Sequence, residues 1–266
     1  MSWGVFDSGV GGLTVVAALR EAIPDTPLTY LGDTARVPYG VRSVETVREY
    51  AREAAHFMIA AGVEGVIIAC NTASAVALDA FEEIFPGKVL GVVEPGVREA
   101  LAATREGRIG IIGTPATVRS DAYGRRLREM LPGARVVSAA CPLFVPLAEE
   151  GWTHGEVPAL VARRYLAPLR KARVDTVVLA CTHYPLLRAV IAEEMGEGVE
   201  LVDSASAVAR EAVRRPASSS GPGGSDEPRA ANRFCVTDAG GAFAEVAARF
   251  LGHSIPALET VHLPRG

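Results

Sequence analysis

The sequence predicts an α/β protein: two similar three-layer α/β/α lobes with mostly parallel sheets and an active site in the cleft between them. Three observations predict it. Two stretches echo each other, Val63-Glu-Gly-Val-Ile-Ile-Ala-Cys70 and Val174-Asp-Thr-Val-Val-Leu-Ala-Cys181. Each is a short β-branched run, apolar on both faces, as a strand buried in a parallel sheet must be. Strand-like runs also alternate with helix-length amphipathic segments, the pattern that places helices over a parallel sheet. A strand, a Gly- or Thr-rich turn and a helix open each half of the chain.

In chain order, Trp3 to Phe6 reads as a strand, Asp7-Ser-Gly-Val-Gly-Gly12 as a turn and Leu13 to Ala22 as a helix. Free backbone N–H groups at such a turn favour anions. The spacing falls short of the full dinucleotide fingerprint. Leu28 to Gly32 is a second strand. Residues 33–40, ending in Pro38-Tyr39-Gly40, have no period and read as a surface loop able to close over a ligand. Ser43 suits the N-cap of a helix to Ala61. The strand of Val66 to Ala69 delivers Cys70. A helix over 73–85 and a strand over Val89 to Val93 follow, ending in Glu94-Pro95-Gly96.

The second series runs helix 97–105, strand Ile109 to Ile112, turn Gly113 to Thr117, helix 118–131 and strand Ala134 to Ala139. Cys141-Pro-Leu-Phe-Val-Pro-Leu-Ala-Glu149 precedes helix 156–171 and the strand ending in Cys181. A helix from Pro185 to Glu194 and a strand Val199 to Val202 close it. Residues 214–232, rich in Pro, Gly and Ser, read as a flexible surface insert. Strand Phe234 to Thr237 and helix 240–251 end the chain. Residues 1–96 with about 206–266 are expected to form the N-terminal lobe carrying Cys70, and 97–205 the second lobe carrying Cys181.

With 266 residues, 49% hydrophobic and 22% charged, the chain can bury a substantial core. A net charge of −4 gives no basic footprint for nucleic acid. No apolar run approaches the ~20 residues of a membrane span, and Met1 to Asp7 shows no basic stretch followed by an apolar one, so no export signal is expected. A soluble cytoplasmic protein is expected. The four cysteines form no C-x-x-C pair and have no zinc-type spacing, so free thiols are expected and no metal. The sequence does not decide whether the chain pairs as a homodimer.

Cys70 and Cys181 fall at the carboxyl ends of their strands, where open α/β sheets place ligands. A free cysteine is ordinarily a buried core residue. Here small polar side chains follow each thiol at once, Asn71-Thr72 and Thr182-His183, and core packing needs none of them. Cys141 and Cys235 read as packing. Two thiols on opposite walls of one cleft can invert a carbon centre, one removing a proton and the other delivering one. Asp7 beside Cys70, and Glu149 with His183 beside Cys181, are candidates to assist. The alternatives are a solvated charge for Glu149 and, for His183, which reads better as functional, a strand-end residue bonded to backbone. Ser8, Asn71, Thr72 and Thr182, with the backbone of Tyr39-Gly40, suit an α-amino acid. Pyridoxal phosphate would need a Schiff-base lysine. Lys88 lies in a Pro-Gly turn and Lys171 in an Arg-Lys-Ala-Arg run, so a cofactor-free reaction is expected.

These motifs, taken together, resemble the glutamate racemase family: Val5-Phe-Asp7-Ser8-Gly-Val-Gly-Gly, Pro38-Tyr39-Gly40, Ala69-Cys70-Asn71-Thr72-Ala-Ser74, Pro142 to Glu149 and Ala180-Cys181-Thr182-His183-Tyr-Pro185. The resemblance spans about residues 3–205. It implies a two-lobed racemase fold and cofactor-independent interconversion of L- and D-glutamate, supplying D-glutamate for peptidoglycan. It implies that Cys70 acts on the D-enantiomer and Cys181 on the L-enantiomer. Asp7, Glu149 and His183 would assist proton transfer. Asp7, Ser8, Tyr39, Gly40, Asn71, Thr72, Thr182 and His183 would bind substrate, with Thr117 as a further contact. The insert at 214–232 has no counterpart in the motif pattern. An aspartate racemase or maleate isomerase would share the two-thiol logic. A Cys181–His183 hydrolase or a two-lobed binding module are the readings from other classes.

Overall fold

The computed structural model describes residues 2–215, 232–241, 243–255 and 257–264. The chain begins β1 (Trp3–Asp7), α1 (Leu13–Ala22), β2 (Leu28–Gly32), α2 (Val44–Ala60) and β3 (Gly65–Ile68). The helices α3 (Asn71–Val76) and α4 (Leu78–Glu82), then β4 (Val89–Gly91) and α5 (Val93–Ala103), complete this series. The next comprises β5 (Arg108–Gly113), α6 (Pro115–Ser120), α7 (Ala122–Met130), β6 (Arg135–Ala140) and α8 (Phe144–Glu149). It continues through α9 (Glu156–Lys171), β7 (Thr176–Ala180), α10 (Arg188–Met195) and β8 (Glu200–Asp203). Last come α11 (Ser204–Arg214), β9 (Arg233–Val236), α12 (Phe243–Leu251) and β10 (Glu259–Thr260).

The strands form two sheets, ordered β10-β9-β2-β1-β3-β4 and β6-β5-β7-β8, and every pairing is parallel. This is the α/β class the alternation predicts. β1, β2 and β7 are buried along their whole length, which is why their sequences are apolar on both faces. In the first sheet the chain leaves β1 toward β2 and returns to β3 on the other side. In the second it leaves β5 toward β6 and returns to β7 on the other side. Each sheet therefore has its switch in winding between two central strands, where a crevice opens at the carboxyl ends. Asp7 and Cys70 flank one crevice, and Thr114 and Cys181 the other.

The structure corrects several expectations. Residues 33–40 are only partly a surface loop: Ala35, Val37 and Pro38 are exposed, but Asp33 is 0% and Tyr39 1% exposed. Asp33 accepts hydrogen bonds from Tyr39 Oη, from Arg36 Nε at 2.7 Å and from Thr237 Oγ1 at 2.9 Å. Arg36 also bonds Glu53 and lies 3.9 Å from the centre of the Tyr50 ring. This charged cluster pins the segment inward, and the sequence pattern gave no sign of it.

Helix 73–85 is two helices that meet at Ala77. The strand predicted to Val93 stops at Gly91, and the following helix starts at Val93 rather than Val97. Pro95 then lies in the first helical turn, where a missing N–H costs nothing. Helix 118–131 is divided by Asp121 at φ 50°, a left-handed conformation that Asp tolerates better than most residues. α8 and α11 were not anticipated as helices, nor β10 as a strand. The proposed insert 214–232 lies mostly outside the described residues. At its ends, Arg214 closes α11, and Asn232 Oδ1 accepts from Leu28 N–H at 3.0 Å.

Replacing Asp33 by Ala should lower unfolding stability by about 2–4 kcal/mol, because it leaves the Tyr39 hydroxyl without its buried acceptor and Arg36 with one carboxylate fewer. Urea unfolding of D33A against the parent chain measures it; an unchanged midpoint would mean the cluster carries no net stability.

Candidate active site

The carboxyl ends of both sheets face one small cavity of about 50 Å³. Ser8, Val37, Pro38, Tyr39, Gly40, Cys70, Asn71 and Thr72 line it from the first sheet's side. Thr114, Val145, Cys181, Thr182 and His183 line it from the second's. Both thiols are buried and reduced, and both look onto the same space.

Cys70 caps the N-terminus of α3, its Sγ accepting from Ala73 N–H at 3.5 Å and donating to Ser8 Oγ at 3.3 Å. Burial, reinforced by the negative charge of Asp7, pushes the Cys70 thiol up to about 12, so it is held protonated at neutral pH. Asp7 itself is 1% exposed and lies behind the cavity wall. Its Oδ2 accepts from Gly9 N–H at 2.9 Å, while Oδ1 is buried without a hydrogen-bond partner. Burial raises its pKa against the opposing pull of His183 and the backbone N–H groups of the 8–12 turn.

Cys181 has different company. His183 Nδ1 lies 3.9 Å from its Sγ, and His183 Nε2 lies 2.9 Å from Glu149 Oε1. Burial works to lower the imidazole pKa, but the hydrogen bonds to Cys181 and Glu149 prevail and push it up to about 10. A protonated imidazole beside Cys181 stabilises negative charge on that sulfur. α12 holds the pair from behind: Phe250 packs edge-on against the His183 ring at 5.0 Å, and Arg249 bonds the Glu149 backbone carbonyl. Glu149 faces a neighbouring cavity of about 370 Å³ rather than the one containing the thiols.

Glycines set the spacing between the two walls. A Cβ on Gly11 would stand 2.3 Å from Thr182 Oγ1 and 2.4 Å from His183 Nδ1. A Cβ on Gly40 would stand 2.8 Å from Thr114 Cβ. Thr14 Oγ1 donates to the Thr182 carbonyl at 3.0 Å, crossing from one sheet's side to the other. The Asn71 amide is fixed by Tyr123 Oη at 2.6 Å and Ser204 Oγ at 3.0 Å.

Of the residues expected at the site, nine line the cavity: Ser8, Tyr39, Gly40, Cys70, Asn71, Thr72, Cys181, Thr182 and His183. Asp7 and Glu149 reach it through neighbours, and the Tyr39 hydroxyl is turned away to Asp33. Thr117 is indirect as well, its hydroxyl 3.3 Å from Thr72 Oγ1. Thr114 was missed as a site residue. Its hydroxyl caps α6 and lies 2.9 Å from Thr72 Oγ1 and 3.0 Å from Thr117 Oγ1. Its position just after β5 mirrors those of Cys70 and Cys181, and that was the available signal. Val37 and Val145 also escaped notice, and nothing in their local sequence marks them. Among the described residues no helix is long and apolar enough to cross a membrane. Nor do any three His, Cys, Asp or Glu side chains there form a metal cluster.

Residues 13–212 match the Asp/Glu/Hydantoin racemase family. A glutamate racemase of Geobacter metallireducens is 50% identical over 263 residues, covering 95% of this chain and 94% of its own. The crystal structure of a Francisella tularensis glutamate racemase in complex with D-glutamate superposes with a TM-score of 0.88 at 34% identity, over 98% of this chain and 97% of that one. The Escherichia coli glutamate racemase, solved with L-glutamate and the activator UDP-MurNAc-Ala, gives 0.80 at 29% identity over 99% of each chain.

The His183 ring should stay protonated well above the ordinary imidazole range. In a proton NMR titration its midpoint is expected near 10, and Glu149→Gln should move it downward by removing one stabilising contact. A wild-type midpoint near 6.5 would disprove the charged pair.

Proposed function

Because the chain belongs to the Asp/Glu/Hydantoin racemase family, we propose that it interconverts L- and D-glutamate without a cofactor, using Cys70 and Cys181 as the two bases. The observation that carries this reading is the pair of thiols facing one cavity from the ends of different sheets. Relatives named as glutamate racemases match nearly the whole chain, and their structures hold D- and L-glutamate.

On this reading the form that acts on L-glutamate has Cys181 as thiolate beside the His183 imidazolium, and Cys70 as thiol. With L-glutamate, the Cys181 sulfur takes the α-proton from one face. The electron pair left on Cα delocalises into the carboxylate, and Cys70 S–H delivers its own proton to the opposite face. D-glutamate runs the same steps in reverse, from the form with Cys70 ionised and Cys181 protonated. His183 and Glu149 stabilise charge at Cys181, and Asp7 tunes Cys70. Backbone and hydroxyl groups of Ser8, Tyr39-Gly40, Asn71-Thr72 and Thr182-His183 hold the substrate, with the Thr72–Thr114–Thr117 hydroxyls as donors and acceptors to its carboxylates. The same proposal includes supply of D-glutamate to peptidoglycan in the cytoplasm. It takes residues 1–96 with about 206–266 as one lobe and 97–205 as the other, an assignment that sheet membership supports.

The Cys181–His183–Glu149 chain alone would also suit a thiol hydrolase. The two readings part at Cys70. In D2O without added cofactor, L- or D-glutamate should lose its α-proton NMR signal while the opposite enantiomer appears. Cys70→Ala and Cys181→Ala should each cut kcat in both directions by about 10³-fold or more. Full turnover in Cys70→Ala, or no exchange with either enantiomer, would refute two-thiol racemisation.

A further inference from the structure

Beside the thiol cavity lies a separate one of about 120 Å³ that joins the two sides of the molecule. Arg42, the residue after the one-turn helix Tyr39–Val41, lines it from one side, and Arg119 and Ser120 of α6 from the other. Val47, Val76 and Ala116 give it an apolar floor. Fifteen of the 23 described arginines form ion pairs to Asp or Glu. Arg36, Arg48, Arg52, Arg126 and Arg163 are examples. Eight of the described arginines have none, Arg42 and Arg119 among them; both are exposed, and both line this cavity. Asp121, the acid nearest Arg119 in sequence, is taken by Arg128 at 2.8 Å. Two permanent guanidinium charges thus border one small cavity, with no acidic residue among those lining it.

We propose that this cavity binds a small carboxylate with a short apolar chain, its carboxylate between Arg42 and Arg119 and its carbons on the valine floor. Guanidinium groups suit carboxylates because their N–H donors match the two oxygens. The apolar floor favours a carbon body over a fully hydrated inorganic anion. An anion held there ties the turn carrying Tyr39 and Gly40 to the helix capped by Thr114. Both segments wall the thiol cavity. The ligand therefore favours the closed arrangement of the cleft and tightens glutamate binding, by about fivefold at saturation for a coupling of ordinary size. That coupling, though not the site itself, rests on the racemase reading above.

The test is titration calorimetry of the full chain with sodium butyrate and with sodium phosphate, at ionic strength matched with sodium chloride. Butyrate should bind at one site, more tightly than phosphate, and at least tenfold more weakly to Arg42→Gln and to Arg119→Gln. In the racemisation assay, butyrate should lower the KM for glutamate in the parent chain and leave it unchanged in both variants, whose butyrate-free kcat stays within about twofold of the parent. Undiminished butyrate binding in the variants, tighter binding of phosphate, or purely competitive inhibition would overturn the proposal. An enzyme inactive on glutamate would refute the function instead, and calorimetry would still judge the site.

Discussion

The site depends on one close approach, that of the backbone at Gly11 to Thr182 and His183. The turn after β1 serves three purposes at once. It ends the strand that bears Asp7, starts α1, and lies directly against the segment following β7. Only a residue without a side chain permits this, since a methyl group there would sit 2.3 Å from Thr182 Oγ1. The second glycine contact, Gly40 on Thr114, and the bond from Thr14 to the Thr182 carbonyl extend the same interface. The two walls are therefore held close by glycine backbone packed directly against the Thr182, His183 and Thr114 side chains.

The two thiols are alike in sequence context and unlike in electrostatics. Cys70 sees burial and a carboxylate, both of which disfavour its ionised form. Cys181 sees an imidazole whose positive charge Glu149 and the sulfur itself maintain. A single small cavity thus holds two sulfurs in unlike surroundings, one beside a carboxylate and one beside an imidazole. The neighbours responsible come from distant parts of the chain. Asp7 ends the first strand, Glu149 ends α8, and Phe250 and Arg249 lie on α12.

How much of this was legible in the sequence follows from how local each signal is. β-branched runs buried on both faces mark themselves, so β1, β2, β3, β5 and β7 could be placed, and with them Cys70 and Cys181. The polar trailers Asn71-Thr72 and Thr182-His183 pointed to the site for the same reason. Features made by tertiary contact stayed hidden. The burial of Asp33 rests on its meeting Thr237 and on Arg36 meeting Glu53, which no local pattern encodes. Helix breaks at Ala77 and Asp121 depend on backbone choices that Ala and Asp do not announce. Pro95 misled for the opposite reason: a helix breaker in mid-helix is harmless in the first turn. Glu149 was found through resemblance and pattern together, yet its position facing a second cavity belongs to the fold alone.

The placement of β9 has a consequence for how the chain comes to be assembled. This strand pairs with β2, completing the first sheet from the far end of the sequence, and Leu31 lies opposite Cys235 across the ladder. The second sheet, by contrast, is built entirely from the contiguous stretch between β5 and β8. On a ribosome the second sheet can close while β2 still exposes an unpaired edge. That edge waits for almost the last strand to be synthesised. The two walls of the thiol cavity thus mature at different times, and the one bearing Cys70 is finished last.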